Sequence, residues 1–216
     1  MANEPLLFGQ YYHIYNRGNN RENLFVEKRN YPYFLQQYAK HIQPVALTYA
    51  YSLLPNHFHF LIRTRTEEEQ EAYHRAQIDS ILEIGSIFKI DPIFKLLEPS
   101  RAFNNLFIAY ARAFNKATGR TGALFESPFG RKLVDNDRYF ITLIVYIHRN
   151  PQKHGLVADF RDWPWSSYRA IRSTKPTKIQ RDDVLAWYGD PTNFEEAHRL
   201  EVNEAMIEPL IVDDWF

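Results

Sequence analysis

The chain has 216 residues, of which 45% are apolar and 16% aromatic, enough to bury a substantial core and too many for a disordered polymer. It has no cysteine, which excludes a disulfide framework, thiolate zinc ligation and thiol catalysis. Formal net charge is zero, with 26 cationic and 26 anionic side chains, so the total gives no reason to expect a polyanion partner.

The distribution of charge does give one. Lys and Arg against Asp and Glu number 7 and 3 in residues 1–65, 3 and 8 in 66–100, 15 and 5 in 101–181, and 1 and 10 in 182–216. Two basic segments are thus separated by an acidic one and followed by an acidic tail, the footprint of a local basic groove on a neutral chain. The N-terminal residues lack the basic region and apolar run of a signal peptide, and no stretch approaches ~18 consecutive apolar residues. A cytoplasmic protein with no membrane contact is expected.

In chain order, Gln10 to Asn16 is rich in β-formers and ends at the turn-forming Arg17-Gly18-Asn19-Asn20. Residues from about Glu27 to Ile42 carry Tyr31, Phe34, Leu35 and Tyr38 at helical spacing, and Pro44 follows. Val45 to Leu54 reads as a strand, Pro55-Asn56 as a turn, and His57 to Ile62 as a strand of strict alternation. Residues 66–100 open on Glu67-Glu68-Glu69 and read as an acidic helical insertion. Ser100 is the expected N-cap of a helix with Phe103, Leu106, Phe107, Tyr110 and Phe114 on one face.

Gly119 and Gly122 then precede a strand or hairpin over Ala123 to Val134. Asp135-Asn136-Asp137 should cap a last core helix from about Arg138 to Arg149, with Pro151 beyond its end. A final acidic helix is expected near residues 193–206. Strand, helix, strand, turn, strand is half of a split βαβ unit. The fold predicted is therefore α+β, a ferredoxin-like palm: an antiparallel sheet with helices on one face, a helical insertion and an acidic C-terminal tail. The expected division is a catalytic domain over 1–181, interrupted by the 66–100 insertion, and an acidic extension over 182–216.

In His57-Phe58-His59 the two imidazoles project from one face of a strand, while Phe58, Phe60 and Ile62 make the other face wholly apolar. Two convergent imidazoles suit one metal ion, and partners can be sought on the last core helix. There Tyr146 and Asn150 lie four residues apart and share a face. An amide oxygen with two imidazoles makes an incomplete nitrogen and oxygen shell suited to Mg2+ or Mn2+. Such a metal polarises a phosphoryl oxygen while a neighbouring tyrosine attacks phosphorus in line, storing the phosphodiester energy in a phosphotyrosine bond.

Three blocks, Tyr12-His13-Ile14-Tyr15-Asn16-Arg17-Gly18, Pro55-Asn56-His57-Phe58-His59-Phe60-Leu61 and Tyr146-Ile147-His148-Arg149-Asn150-Pro151, resemble signature blocks of the REP-associated tyrosine transposases, a group of HUH single-strand transposases. Ala113-Phe114-Asn115-Lys116, Gly119 to Phe125, Lys153 to Val157 and Trp165 to Tyr168 support the resemblance, which covers roughly residues 8–170. It implies His57 and His59 as metal ligands, Asn150 as a third ligand and Tyr146 as nucleophile. It also implies cleavage of single-stranded DNA beside an imperfect hairpin, giving a 5′-phosphotyrosine and a free 3′-hydroxyl. Insertion and tail lie outside it. HUH sites are built in a monomer or shared across a homodimer, and both are open at this point.

Arg17, Arg120, Arg131, Lys132, Arg149 and Lys153 lie in or near the blocks and are candidates for phosphate contacts. His13 and His148 are expected in structural hydrogen bonds, and Glu126 in solvation or support of the site. Two rival readings stand beside this one. The first is a hairpin-DNA-binding palm without catalysis. The second is a metallo-hydrolase of another fold, disfavoured because Phe60-Leu61-Ile62 follows the histidines where a β-lactamase-like site continues with an Asp-His pair.

Overall fold

A computed structural model of the chain describes residues 5–83 and 94–200. Its elements in order are β1 (Tyr11–Arg17), α1 (Asn30–Ile42), β2 (Ala46–Leu53), β3 (His57–Thr64), α2 (Glu67–Glu83), α3 (Pro99–Thr118), β4 (Gly130–Leu133), α4 (Asp137–Lys153), α5 (Tyr168–Arg172), α6 (Arg181–Tyr188) and α7 (Pro191–Arg199). The four strands form one antiparallel sheet in the order β2-β3-β1-β4, as an α+β palm requires.

The alternation in β3 determines what lies on each face of the sheet. Phe58, Phe60 and Ile62 point to the layer made by α1 and α3, where they meet Phe34, Tyr38, Phe103, Phe107 and Tyr110. Tyr38 stacks on Phe60 with ring centroids 4.2 Å apart, and Phe34 meets Phe58 at 5.2 Å. Every apolar position predicted for α3 is buried there. The sequence reading gathered the helices on one face; the structure adds a second layer. α4 crosses the opposite, histidine-bearing face, where Leu143, Ile144 and Ile147 bury against Tyr49, Ala50 and Leu61. That side is closed by Val184, Tyr188 and Phe194 of α6 and α7. The first part of the acidic extension after 181 is therefore part of the core, because its few apolar residues are needed to cover α4.

Three local expectations are corrected. α3 begins two residues early with Pro99 in its first turn, where a missing N–H costs nothing, and the residue at its N-cap is Glu98. Ser100 serves elsewhere: its Oγ accepts from the Leu6 amide at 2.9 Å and from Arg131 at 3.1 Å. Pro151 does not lie beyond α4 but inside it. So near the C-terminus it forfeits only the bond to the Ile147 carbonyl, and the helix closes instead at Gly155, whose φ of +68° suits glycine. The strand expected over Ala123 to Val134 is confined to Gly130–Leu133, with Phe125 making one bridge to Gly18.

α2 starts the predicted insertion with a reciprocal cap. The Thr66 amide donates to Glu69 Oε2 at 2.9 Å and the Glu69 amide to Thr66 Oγ1 at 3.2 Å. The Gln70 side chain ties the base of the insertion by bonding both N and O of Leu97. Residues 84–93 of the expected insertion lie outside the described residues, as does the part of the expected final helix after Leu200.

Candidate active site

β3 presents His57 and His59 on the face covered by α4, and both rings are fully buried, 5.1 Å apart and nearly perpendicular. The hairpin before them is held from outside. Gly18 donates to the Asn56 carbonyl at 2.8 Å, and the Leu24 and Phe25 amides both donate to the Pro55 carbonyl. His57 Nδ1 lies 2.7 Å from Asn56 Oδ1, and its Nε2 lies 3.3 Å from Asn150 Oδ1. His59 Nδ1 is 3.0 Å from Nε2 of His13, whose ring stacks on it from β1.

α4 brings its last two turns to the same place. Tyr146 meets His59 edge-on with ring centroids 5.7 Å apart, and Lys153 Nζ lies 5.4 Å from the tyrosine ring. His154, one residue past the helix, meets His57 at 5.4 Å. Tyr146 is only 3% exposed, so its phenol reaches a large substrate only if the covering side chains move aside.

Burial is the leading cause of the site's electrostatics. It pushes His57 down to about 3, helped by His154 and Arg17 and opposed by the Asn150 hydrogen bond. It holds His59 well below the usual imidazole range, with His13, His57, His154 and Lys153 adding to the effect. His154 falls to about 4 through burial and Lys153. At neutral pH these rings are uncharged, and a neutral imidazole is the form that ligates a metal.

A neutral ring carries one N–H, and His57 faces two amide oxygens. The shorter contact is the one at Asn56, and a proton placed there would leave the Nε2 lone pair facing the Asn150 oxygen. His57 Nε2 and Asn150 Oδ1 stand 3.3 Å apart, and Asn150 Nδ2 and Ser52 Oγ, the latter on the strand position opposite His59, are buried without hydrogen-bond partners. This donor set fits a cation held by two imidazoles and an amide oxygen. Among the described residues no group of three His, Cys, Asp or Glu side chains has metal-site spacing, so the amide is essential to such a shell.

The six basic candidates divide. Arg17 pairs with Glu126 at 2.6 Å and lies close enough to His57 to lower its pKa. Lys132 stands opposite His13 in the β1–β4 ladder, on the site face of the sheet, and is exposed; Lys153 borders Tyr146. The other three are engaged elsewhere. Arg120 ion-pairs with Glu22 at 2.7 Å and donates to the carbonyls of Thr121, Gly122 and Ala123, stapling the loop after α3. Arg131 faces α3, over the Phe129 ring at 3.8 Å. Arg149 donates to the His198 and Leu200 carbonyls, tying α4 to the end of α7.

His148 turns away from the site, into a buried relay with Ser167 and His198, the structural role expected of it. Sequence reasoning missed Asn56 and His154. Both left a signal: Asn56 is the neighbour of a histidine in a tight turn, and His154 follows Asn150 by four, the spacing that places it on the face of Tyr146 and Asn150.

No known family profile matches the chain. A Haemophilus influenzae protein assigned by name to the REP-associated tyrosine transposases is 27% identical over 144 residues, covering 67% of this chain and 68% of that protein. The REP-associated tyrosine transposase of Escherichia coli K12 is 26% identical over 110 residues, 50% of this chain and 61% of that protein, so less than two thirds of it is matched. A solved structure of a REP-associated tyrosine transposase bound to a REP hairpin superposes with a TM-score of 0.54 at 18% identity, covering 82% of this chain and 89% of that one. By sequence and by fold, the chain is similar to the REP-associated tyrosine transposases, the group its three motif blocks resemble.

Proposed function

We propose that the chain is a metal-dependent endonuclease and strand transferase of single-stranded DNA, acting in the cytoplasm beside hairpin sequences, with Tyr146 as nucleophile. The observation that carries this is the convergence of two helical positions on one strand: Tyr146 is 5.7 Å from His59 by ring centroids, and Asn150 Oδ1 is 3.3 Å from His57 Nε2. The name of the structural neighbour, a transposase bound to a REP hairpin, supports hairpin DNA as the partner. Among the described residues no helix is long and apolar enough to cross a membrane. One chain supplies all four groups, so a monomer suffices for the site.

His57, His59 and Asn150 would hold Mg2+ or Mn2+, which when bound supplies Lewis-acid polarisation of the scissile phosphoryl group. Tyr146 Oη forms a bond to phosphorus as the bond to the 3′-oxygen breaks; the phenol loses its proton and the departing 3′-oxygen gains one. Lys153, with Nζ 5.4 Å from the tyrosine ring centroid, places a cationic side chain beside the nucleophile. A phosphodiester is exchanged for a phosphotyrosine, so attack by a 3′-hydroxyl rejoins DNA without a nucleotide cofactor. Arg17, Lys132 and Lys153 line the approach and would contact phosphates.

Incubation of labelled, hairpin-bearing single strands with the chain and Mn2+ should give an adduct that survives denaturation. The adduct is lost in Tyr146→Phe. An adduct persisting in that variant moves the nucleophile elsewhere. The burial of Tyr146 favours one alternative, a hairpin-binding palm without chemistry; tight hairpin binding with no adduct under any metal would establish it.

A further inference from the structure

We propose that Asn56 and His13 are positioning residues that hold His57 and His59 with their protons on Nδ1, so that both Nε2 lone pairs are available to a divalent cation. The assignment rests on the metal-dependent reading above and deepens it. Both rings are fully buried, so bulk water does not choose their tautomers and side chains must. For His57 the distances decide, since Asn56 Oδ1 at 2.7 Å takes the proton ahead of Asn150 Oδ1 at 3.3 Å. Asn56 is well fixed for this task, being 7% exposed and anchored through its carbonyl to Gly18.

For His59 the contact with His13 Nε2 is made by Nδ1, at 3.0 Å. Ligation through Nε2 then requires His59 Nδ1–H to donate to His13 Nε2, with the proton of His13 on its own Nδ1. The near-parallel rings, 22° apart, keep the two nitrogens in register. A strand neighbour and a turn neighbour thus do for two histidines what a carboxylate or carbonyl does for ligating histidines generally. The sequence places both in the motif blocks, as Tyr12-His13-Ile14 and Pro55-Asn56-His57.

The test uses the full chain without DNA. Mn2+ uptake is titrated by the electron paramagnetic resonance signal of free aquated Mn2+, and long-range proton–nitrogen NMR of 15N-histidine-labelled protein reads the tautomers before metal is added. Wild type should bind Mn2+ and show Nδ1–H on His57 and His59. Asn56→Ala and His13→Phe should each weaken Mn2+ binding by about ten- to a hundredfold. His13→Gln keeps an acceptor oxygen and should stay within a few-fold of wild type. Unchanged uptake in both disabling variants, or an Nε2–H on either ring of the wild type, overturns the assignment alone. A wild-type chain that takes up no Mn2+ overturns the metal reading and the assignment with it.

Discussion

His198 allows a prediction whose sign reverses with pH. Its ring is fully buried, and because a carbonyl only accepts, its Nδ1–H donates to the Phe194 oxygen at 2.7 Å. Nε2 must then accept from His148 Nδ1–H at 2.8 Å, His148 Nε2 from the Ser167 hydroxyl at 2.8 Å, and Ser167 Oγ from the Tyr51 amide at 2.9 Å. Every proton in this relay from β2 through α4 to α7 is assigned, and both rings are neutral. His198→Phe keeps an aromatic ring but leaves the His148 donor buried without a partner, which should cost about 1–3 kcal/mol at pH 7.5. His198→Ala also empties the space against Phe194, 4.3 Å away by centroids, and Tyr168 at 5.1 Å. That loss should reach roughly 3–5 kcal/mol.

Acid changes the comparison. Burial pushes His198 down to about 4, with Arg149 contributing, whereas an unfolded histidine titrates near 6.5. Between these values the unfolded chain binds a proton that the native chain refuses. Stability is therefore full above about pH 6.5 and falls as pH drops toward 4, by roughly 3 kcal/mol at about 1.4 kcal/mol per pH unit. His198→Phe lacks that ring in both states and escapes this loss. Urea unfolding, followed by tryptophan fluorescence, should find the variant weaker than wild type at pH 7.5 and equal or better near pH 4.5. A stability difference that stays constant across that range refutes the neutral relay.

Arg120→Ala should lower stability by about 1–2 kcal/mol, since several carbonyls lose their donor, and leave the salt dependence of DNA binding unchanged. Lys132→Ala, by contrast, should reduce the slope of log affinity against log salt by about one in filter-binding titrations across salt concentrations. Gly130→Ala would set a Cβ only 1.9 Å from the Tyr15 ring, which borders His13 at 5.0 Å. Displacing that ring should cost roughly 1–3 kcal/mol in thermal or urea unfolding. Removing metal with a chelator should abolish the DNA adduct while leaving circular dichroism unaltered, because the core on either face of the sheet is closed by side chains alone.

Much of the candidate site was legible because it depends on short periods. The two-residue repeat of β3 separates histidines from phenylalanines, and the four-residue step on α4 aligns Tyr146 with Asn150; both follow from backbone geometry. The roles of Arg120, Arg131 and Arg149 were not legible, since a guanidinium in a motif block reads the same whether it meets phosphate or the chain's own carbonyls. α6 escaped notice because it is only eight residues long and only Val184 and Tyr188 are fully buried in it, too few positions to make a period. The full length of α4 was hidden by Pro151, whose ability to end a helix depends on how many turns remain after it. The second helical layer was not legible either, because an apolar face on α4 does not state which side of a sheet it will cover.

Pro151 also bears on how the site can fail. Tyr146, Asn150 and Lys153 ride on the final stretch of one helix with His154 directly after it, and on its reverse side His148 is pinned to Ser167 and to His198 of α7. A turn of that helix by one residue, about 100°, would carry nucleophile, amide and cation away together. Defects in the packing of α4 should thus silence the chemistry as a unit, with no intermediate state in which ligand and nucleophile are lost separately.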